Sequence, residues 1–479
     1  MREVGRERTL VTENSPVSKS RASIVLTSIC FGVVLVAADS TSMTVALPNI
    51  KDGLRLTQTD LGWVLSAFLL TYTAFRLIGG HLSDLYGSRS LFLKGLIVFV
   101  AASIFAGIAS SRLQLITART VQGAAGAIIV TSALALIADI FTKTEERARA
   151  VAAYGVSAGG GGAIGIMLGG ILTSEFGWRC VFLVNLPIGI VAYVSSYLSL
   201  PERDRLKGVR PLDVAGSITA TASLAVVTFA ILERGSSNLS EIESALLLLF
   251  SAILAVLFFV IESRTADPLL PISVFRKANL LRCCVINLLF SSTGAAAVFA
   301  SLYLQLVLHY DPFKAGVAFL PLTLATALFS LSRAIRTTAA ADIRRPIVAG
   351  LVLLAGGLVF LCGTSVNGNV AVSVIPGLTL IGVGGGVVLS PLFIATMTDV
   401  EIKETGVVSG IYGTTASMGR VLGLALLVNI ATTRTNGLLT KGVSSLAALT
   451  SGYHSAFIAA AVLATIAAAL SSTLTRNNM

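Results

Sequence analysis

Long apolar stretches alternate with short polar connections along the whole chain. Fourteen of these stretches are long enough, at roughly 20 residues, for an α-helix to cross a bilayer. The connections between them leave no room for a soluble domain. We therefore predict an all-α polytopic membrane protein with spans near residues 24–47, 59–80, 91–110, 113–138, 148–173, 180–200, 212–232, 244–262, 280–308, 315–332, 346–364, 370–397, 406–431 and 453–475.

The composition supports this prediction. Of 479 residues, 54% are hydrophobic and only 12% are charged, whereas a soluble domain has about a quarter charged residues. In a soluble protein, the net charge of +11 would suggest a nucleic-acid partner. Here the basic residues are concentrated in one set of loops, which explains the net charge better. No nucleic-acid partner is therefore expected. The five cysteines lie in or beside apolar segments without zinc spacing, so neither a metal site nor a disulfide framework is expected.

The division of lysine and arginine between loops predicts the orientation. If the N-terminus is inside, the inner loops and termini carry about 24 of these residues and the outer loops roughly 8. The first residues lack the apolar core and cleavage site of a secretory signal. We therefore expect a multi-pass protein of the cell membrane with two cytoplasmic termini, residues 1–22 and 476–479.

Two segments of the sequence resemble each other. "ALIADIFTKTEERARAVAAYG" (135–155) matches "ATMTDVEIKETGVVSGIYG" (395–413), and Asp139 aligns with Asp399. Both copies run from an even-numbered span to an odd-numbered one, which indicates a parallel repeat, a layout in which transporters bind substrate between two halves. Chance similarity of glycine-rich helices is the alternative. The glycines that follow also align, Gly161 and Gly165 with Gly419 and Gly423.

The repeat leaves spans 7 and 8 unmatched. The predicted organisation is therefore an N-terminal six-helix bundle (23–200), a linker with two inserted spans (201–279) and a C-terminal six-helix bundle (280–475).

Five short motifs occur in order along the chain. They are "ADSTSMTVALP" (38–48), "GGHLSDLYGSRS" (79–90), "ARTVQGAAGA" (118–127), "FGWRCVFLVNLPIG" (176–189) and "LYLQLVLHYDPFKAGVAFLP" (302–321). Together they resemble the major facilitator superfamily, specifically its 14-span drug:proton antiporter branch. The resemblance implies a major facilitator fold of two six-helix bundles plus two inserted helices. It also implies proton-coupled multidrug efflux and antibiotic resistance by alternating access, in a monomer without a cofactor.

Three positions depart from the pattern of that branch. Ile166 stands where the span 5 antiporter signature has proline, Leu85 where the loop after span 2 has a basic residue, and Arg420 where span 13 has a small residue. The resemblance links this proline of span 5 to antiport. Its replacement by Ile166 therefore weakens the expectation of proton coupling.

Charged residues inside the spans are the strongest candidates for function, because each costs about 2.5–3.5 kcal/mol at the centre of a span. Asp39 lies roughly 12 Å and Arg119 roughly 9 Å below the outer surface, at about 1.5 Å per helical residue. We expect Asp39 to bind and release the coupling proton while Arg119 sets its proton affinity. The alternative is a permanent ion pair that only joins spans 1 and 4.

Two further arginines lie within spans. Arg420 lies at a depth similar to that of Asp39, and it is expected either to pair with Asp39 when the outer side closes or to recognise an anionic substrate group. Pairing with a backbone carbonyl or water is the alternative. Arg76 is predicted near the cytoplasmic boundary, where its guanidinium can extend into the interface as a structural feature.

The resemblance also assigns roles to residues of the inner loops, and the spacing of glycines in span 5 indicates a further one. Gly80, Asp84, Gly87, Arg89 and Asp139 are expected to close the inner gate, with a solvated helix end as the alternative. The glycines of span 5 provide small faces four residues apart, which allow close helix packing; they are Gly161, Gly165, Gly169 and Gly170.

The substrate is expected to lie in an apolar cavity with few polar groups, which suits lipophilic compounds, cations among them. Each wall candidate has simple packing as its alternative. The candidates are Trp63, Phe68, Gln122, Tyr303, Gln305 and Arg420.

Other classes of protein are poorly supported. The sequence contains no H-E-x-x-H, no G-x-S-x-G and no P-loop motif, so neither an enzyme nor an ATP-driven pump is expected. The expected partners are a small-molecule substrate, protons and the lipid bilayer. The alternative function is a dedicated exporter, or an uptake carrier, of a single endogenous metabolite.

Overall fold

A computed structural model describes residues 19–141, 144–201, 214–235, 239–265, 278–337, 343–397 and 405–474. This part of the chain is helical throughout and contains no strand. Its helices are α1 (Lys19–Leu54), α2 (Gln58–Tyr86), α3 (Ser88–Gly107), α4 (Arg112–Ile140), α5 (Thr144–Phe176), α6 (Arg179–Leu183), α7 (Asn185–Ser199), α8 (Val214–Gly235), α9 (Glu241–Arg264), α10 (Ala278–Thr293), α11 (Ala296–Leu302), α12 (Pro312–Ala318), α13 (Leu320–Thr337), α14 (Arg344–Leu361), α15 (Val370–Ser373), α16 (Ile375–Met397), α17 (Thr405–Leu439) and α18 (Ser445–Ser471).

The prediction of an all-helical membrane protein is confirmed. Within the described ranges, 12 helical segments are long and apolar enough to cross a membrane. The predicted spans 59–80 and 212–232 correspond to α2 and α8, which have 29 and 22 residues and do not belong to these twelve. The structure therefore supports about twelve spans, and a count of fourteen stays a prediction.

Several predicted spans consist of two helices rather than one. The span predicted over 180–200 divides at Val184, with Pro187 in the first turn of α7. The span predicted over 280–308 divides at Gly294 and ends in a π-helical turn, Tyr303–Val307. Proline lacks the backbone N–H that continues a helix, and glycine permits backbone conformations that interrupt one. The helices can therefore break at these positions although the sequence around them is apolar.

Glycine allows helix pairs in the two halves of the chain to approach closely. A Cβ atom on Gly165 of α5 would overlap the carbonyl oxygen of Ala38 on α1, and one on Gly423 of α17 would overlap the backbone of Ser292 on α10. A hydroxyl completes each contact: Thr41 Oγ1 donates to the Gly162 carbonyl at 2.8 Å, and Ser292 Oγ to the Gly419 carbonyl at 2.9 Å.

The α1–α5 and α10–α17 pairs therefore pack in the same way. This likeness extends the internal repeat from sequence to packing, since the aligned glycines occupy equivalent places in the two halves.

Helix α8, from the segment between the halves, contacts both of them. Trp63 Nε1 on α2 donates to Glu233 Oε1 on α8 at 2.8 Å. From the other half, Asn429 Nδ2 on α17 donates to the Ile231 carbonyl on α8 at 2.7 Å. α8 thus bridges α2 and α17, which also pack against each other.

Hydrogen bonds join the two halves at one end, which we call the closed end. Ser301 Oγ donates to the Thr44 carbonyl and Gln305 Nε2 to the Val45 carbonyl, each at 2.9 Å. Nearby, Gly170 of α5 lies directly against the backbone of Pro312. The end of α1 is therefore fixed to the π-helical segment of the opposite half.

Candidate functional site

A cavity of about 960 Å³ lies between the two halves. It extends from Thr44 and Val45 at the closed end to Ser330 and Ile394 near the other end. Most of its lining is apolar, and among the residues described its only charged lining side chains are Arg119 and Arg420. Such a chamber can hold a drug-sized apolar molecule.

The Asp39–Arg119 ion pair lies in the wall of this cavity. Arg119 Nη1 donates to Asp39 Oδ2 at 2.6 Å, and each residue is only 1% exposed. Arg119 also lines the cavity, and its guanidinium stacks on the Phe68 ring with 4.3 Å between Cζ and the ring centroid. The Asp39 carboxylate is therefore separated from the cavity by the Arg119 side chain.

Two amides complete the surroundings of the Asp39 carboxylate. Asn185 Nδ2 donates to Oδ1 at 2.7 Å, and Gln122 Nε2 approaches the same oxygen at 3.3 Å. Both amides also donate to Ser103 Oγ, at 2.7 and 2.9 Å, and Ser103 Oγ itself donates to the Phe182 carbonyl at 3.1 Å. The network joins α1, α3, α4 and α7 through one carboxylate.

This arrangement constrains how a proton can reach Asp39. Arg119, Gln122 and Asn185 all donate, so they complement a carboxylate that carries no proton. These three donors occupy two sites on Oδ1 and one on Oδ2, out of about four lone-pair sites on a carboxylate. A proton on Oδ1 would have to displace an amide donor, whereas Oδ2 beside Arg119 keeps one site for a proton.

Arg420 does not contact Asp39 in this structure. Its Nη2 donates to Ser417 Oγ at 3.0 Å, and its side chain lines the cavity. Arg76, predicted at the membrane boundary, instead packs its guanidinium against Gly413 of α17, where a Cβ atom would lie 2.8 Å from Nη2. The two arginines come from opposite halves, and both contact α17 or belong to it.

The predicted wall residues occupy different places. Phe68 and Arg420 line the cavity, whereas Gln122 belongs to the Asp39 network. Tyr303 donates its hydroxyl to the Ser365 carbonyl at 2.6 Å, away from the cavity lining. The other two candidates make the interhelical contacts described above: Gln305 joins the closed end and Trp63 joins α8.

The predicted gate residues lie around the junction of α2 and α3. Gly87 separates these helices with a φ of +81°, a conformation that favours glycine. Ser88 Oγ donates to Asp139 Oδ2 at 3.2 Å, and Arg89 Nη2 donates to the Tyr197 carbonyl at 3.0 Å. Gly80 and Asp84 belong to α2, and the surroundings of these two residues lie outside the described part of the structure.

Sequence reasoning missed Ser103 and Asn185. Both are uncharged polar residues within apolar runs, where they hardly change the hydropathy pattern. Asn185 does fall within one of the five motifs, "FGWRCVFLVNLPIG", and a buried amide in such a motif was the available signal.

Comparisons with known proteins agree with this architecture. Residues 29–424 match the Major Facilitator Superfamily. "Puromycin resistance protein pur8" of Streptomyces alboniger is 32% identical over 88% of this chain and 84% of the relative. "Cephamycin export protein CmcT" of Amycolatopsis lactamdurans is 32% identical over 92% of this chain and 90% of the relative.

A solved structure shows the same fold. It is a bacterial homolog of the human lysosomal transporter Spinster, in an inward-facing and unoccupied conformation. It aligns with a TM-score of 0.67 and 17% identity, covering 95% of this chain and 97% of that chain.

Proposed function

Because this chain belongs to the Major Facilitator Superfamily, we propose that it exports lipophilic drugs or antibiotics in exchange for protons, by alternating access. Export is supported by the relatives named for puromycin resistance and cephamycin export, which match most of the chain. These relatives and the matching folds are transporters rather than enzymes.

One observation carries the proposal: the wall of the cavity between the halves contains a buried ion pair, Asp39 with Arg119. Arg119 contacts Asp39 on one side and the cavity on the other. Arg119 therefore links the protonation of Asp39 to the contents of the cavity. An exchanger needs such a link, because the proton and the substrate must occupy the protein in turn.

The proposed cycle uses the contacts described above. A proton on Asp39 weakens its bond to Arg119, which frees α4 to move relative to α1. The hydrogen bonds of the closed end break as the two halves rotate, while the residues around Gly87, Arg89 and Asp139 form the opposite gate together with Gly80 and Asp84. The tight α1–α5 pair, packed through Gly161, Gly165 and Gly169, moves as one unit.

The membrane arrangement follows from the same proposal. We infer fourteen spans, with α2 and α8 added to the twelve, because each has at least 22 residues and packs between helices that cross the membrane. The two six-helix bundles are residues 23–200 and 280–475, and both termini are cytoplasmic by the distribution of loop charges. The closed end is then extracellular, and the protein acts as a monomer.

Purified protein in sealed vesicles tests this function. An imposed pH difference should drive a lipophilic fluorescent dye across the bilayer, and dissipation of the gradient with a protonophore should stop it. Dye movement that is indifferent to the pH gradient would reject proton exchange. Movement of one metabolite alone, with every lipophilic dye excluded, would favour the dedicated carrier instead.

A further inference from the structure

Arg420 and Arg76 place two positive charges on helices of opposite halves. Among the described residues, neither Arg420 nor Arg76 forms an ion pair with a carboxylate. The hydrogen bond from Arg420 to Ser417 uses one of the five donors that a guanidinium carries. Arg76 stacks on Tyr72, with 5.8 Å between Cζ and the ring centroid.

The two arginines are connected through the backbone of α17. Arg420 donates to Ser417 Oγ, which donates at 3.0 Å to the carbonyl of Gly413, the residue on which the Arg76 guanidinium rests. Tyr412, adjacent to Gly413, lines the same cavity as Arg420. Two guanidinium groups thus approach α17 around Gly413 and Ser417, within spans where an unpaired charge is costly.

Counted over the described residues, the charges of the cavity lining and of Asp39 and Arg76 beside it sum to a positive value even with Asp39 ionised. Asp39 neutralises Arg119 at 2.6 Å, and Arg420 and Arg76 remain. No aspartate or glutamate belongs to the cavity lining in the part of the chain that the structure describes. This field repels a lipophilic cation and attracts an anion.

We propose that Arg420 binds the acidic group of an amphiphilic organic anion whose apolar body fills the 960 Å³ cavity. A guanidinium offers paired donors that match a carboxylate or sulfonate. Phe319, Leu322 and Phe393 in the lining provide apolar surface for the rest of the molecule. The inference rests on the proposed function, and it replaces the expectation of cationic substrates with anionic ones.

Two fluorescent ions of similar shape and opposite charge test the proposal: pyrene-1-sulfonate and 1-pyrenylmethylammonium. Their binding to the purified full chain in neutral detergent is followed by fluorescence anisotropy. The sulfonate should bind at least about tenfold more tightly than the ammonium ion, the factor expected for one charge-assisted hydrogen bond. Equal affinities, tighter binding of the ammonium ion or no binding of the sulfonate would overturn the proposal.

Three variants locate the site. Arg420→Gln should weaken sulfonate binding about tenfold without weakening that of the ammonium ion, while Arg420→Lys should retain most of the preference. Arg434→Gln is the matched control on the same helix, because Arg434 is exposed and bonds to Ser451 away from the cavity. Unchanged sulfonate affinity in Arg420→Gln, or an equal loss in Arg434→Gln, would contradict the assignment.

An acidic lipid shares the chemistry of an acidic head on an apolar body. Short-chain phosphatidylglycerol, added as a competitor, distinguishes a free organic anion from a lipid. If this lipid displaces pyrene-1-sulfonate, the result argues against a site for a free organic anion. If pyrene-1-sulfonate stays bound, the result supports such a site. Binding is measured without a proton gradient. A failure of pH-driven dye transport would therefore reject the proposed function and leave the binding result standing.

Discussion

Arg119 on α4 and Asp39 on α1 share a hydrogen bond of 2.6 Å, although 80 residues separate them in sequence. Each is 1% exposed, so neither charge can be solvated by water. Removing one partner of such a pair typically costs about 3–5 kcal/mol, because the other charge stays buried. The pair therefore fixes the packing of α1 against α4 as well as offering a site for a proton.

Asp39→Asn should abolish pH-driven exchange while leaving folded protein in the membrane. The amide oxygen of asparagine can still accept from Arg119, so the helices stay joined, but the side chain cannot take up a proton. The measurement is dye movement under an imposed pH difference, with thermal unfolding as the test of folding.

Asp52→Asn is the matched control, since Asp52 is an exposed acid on the same helix. It should transport like the unmodified chain. Full coupled transport by Asp39→Asn would show that the pair is only structural.

Asn185→Ala should slow coupled transport about tenfold with little change in dye binding. The substitution removes the 2.7 Å donor to Asp39 Oδ1 and leaves only the longer contact from Gln122. The carboxylate thus loses its closest amide partner, and a hydrogen bond to a charged group contributes about 1.5–3 kcal/mol.

Rates under a pH gradient and binding without one separate the two effects of Asn185→Ala. Asn367→Ala, at an exposed loop position, should change neither. A loss of dye binding equal to the loss of rate would instead place Asn185 in the substrate site.

Sequence reasoning reached the helices and the ion pair for a physical reason. Apolar length reports directly on burial in a bilayer, and an isolated charge such as Asp39 stands out because it is costly there. A rise of about 1.5 Å per helical residue gives Asp39 and Arg119 similar depths in the membrane, and similar depth allows two side chains on different helices to pair.

The side chains that line the cavity depend on how each helix is rotated and where it breaks, and the type of a residue does not determine either. Trp63 and Tyr303 are plausible wall residues by chemistry, yet their helices orient them toward α8 and toward Ser365. Arg76 was placed by depth alone, and the depth estimate could not show that Gly413 leaves room for its guanidinium.

Gly165→Ala should destabilise the protein by about 1–3 kcal/mol, the usual effect of overpacking. The new methyl group would overlap the carbonyl oxygen of Ala38, a backbone atom that cannot move without separating α5 from α1. The measurement is the midpoint of thermal unfolding in detergent.

Gly356→Ala provides the contrast for this test, because no atom lies within 4 Å of a Cβ atom there. In the interior of α14 it should be neutral or stabilising by up to about 1 kcal/mol. Equal unfolding midpoints for both variants would argue against close packing through Gly165.

Gln305→Ala should favour opening of the closed end. Gln305 donates to the Val45 carbonyl and to Ser301 Oγ, so the variant removes one of the bonds that hold α1 to the π-helical turn. A net contribution of about 1 kcal/mol per hydrogen bond corresponds to roughly a fivefold change in the open population.

Labelling of a cysteine placed at Thr44, with a reagent added on the side of the closed end, reports that opening. The rate should rise in Gln305→Ala relative to the parent. Thr440→Ala, at an exposed position near the end of α17, should leave it unchanged. A labelling rate unaffected by Gln305→Ala would mean that other contacts hold this end closed.

Trp63→Phe should lower thermal stability without changing the affinity for transported compounds. The indole Nε1 donates to Glu233 Oε1 at 2.8 Å, and the ring contacts Phe229 with centroids 5.8 Å apart; both partners belong to α8. Phenylalanine retains the aromatic contact and removes the donor, which leaves a largely buried carboxylate oxygen without that bond, at a cost of about 1–3 kcal/mol.

Trp63 can act by holding α8 or by contacting substrate, and the two roles have different consequences because α8 bridges α2 and α17. If Trp63 touched substrate, the dye affinity of Trp63→Phe would fall while its unfolding midpoint stayed the same. The structure predicts the opposite pattern, and Glu233→Ala should reproduce it from the other side of the bond. Because the two substitutions remove the same hydrogen bond, their effects on unfolding should be less than additive in the double variant.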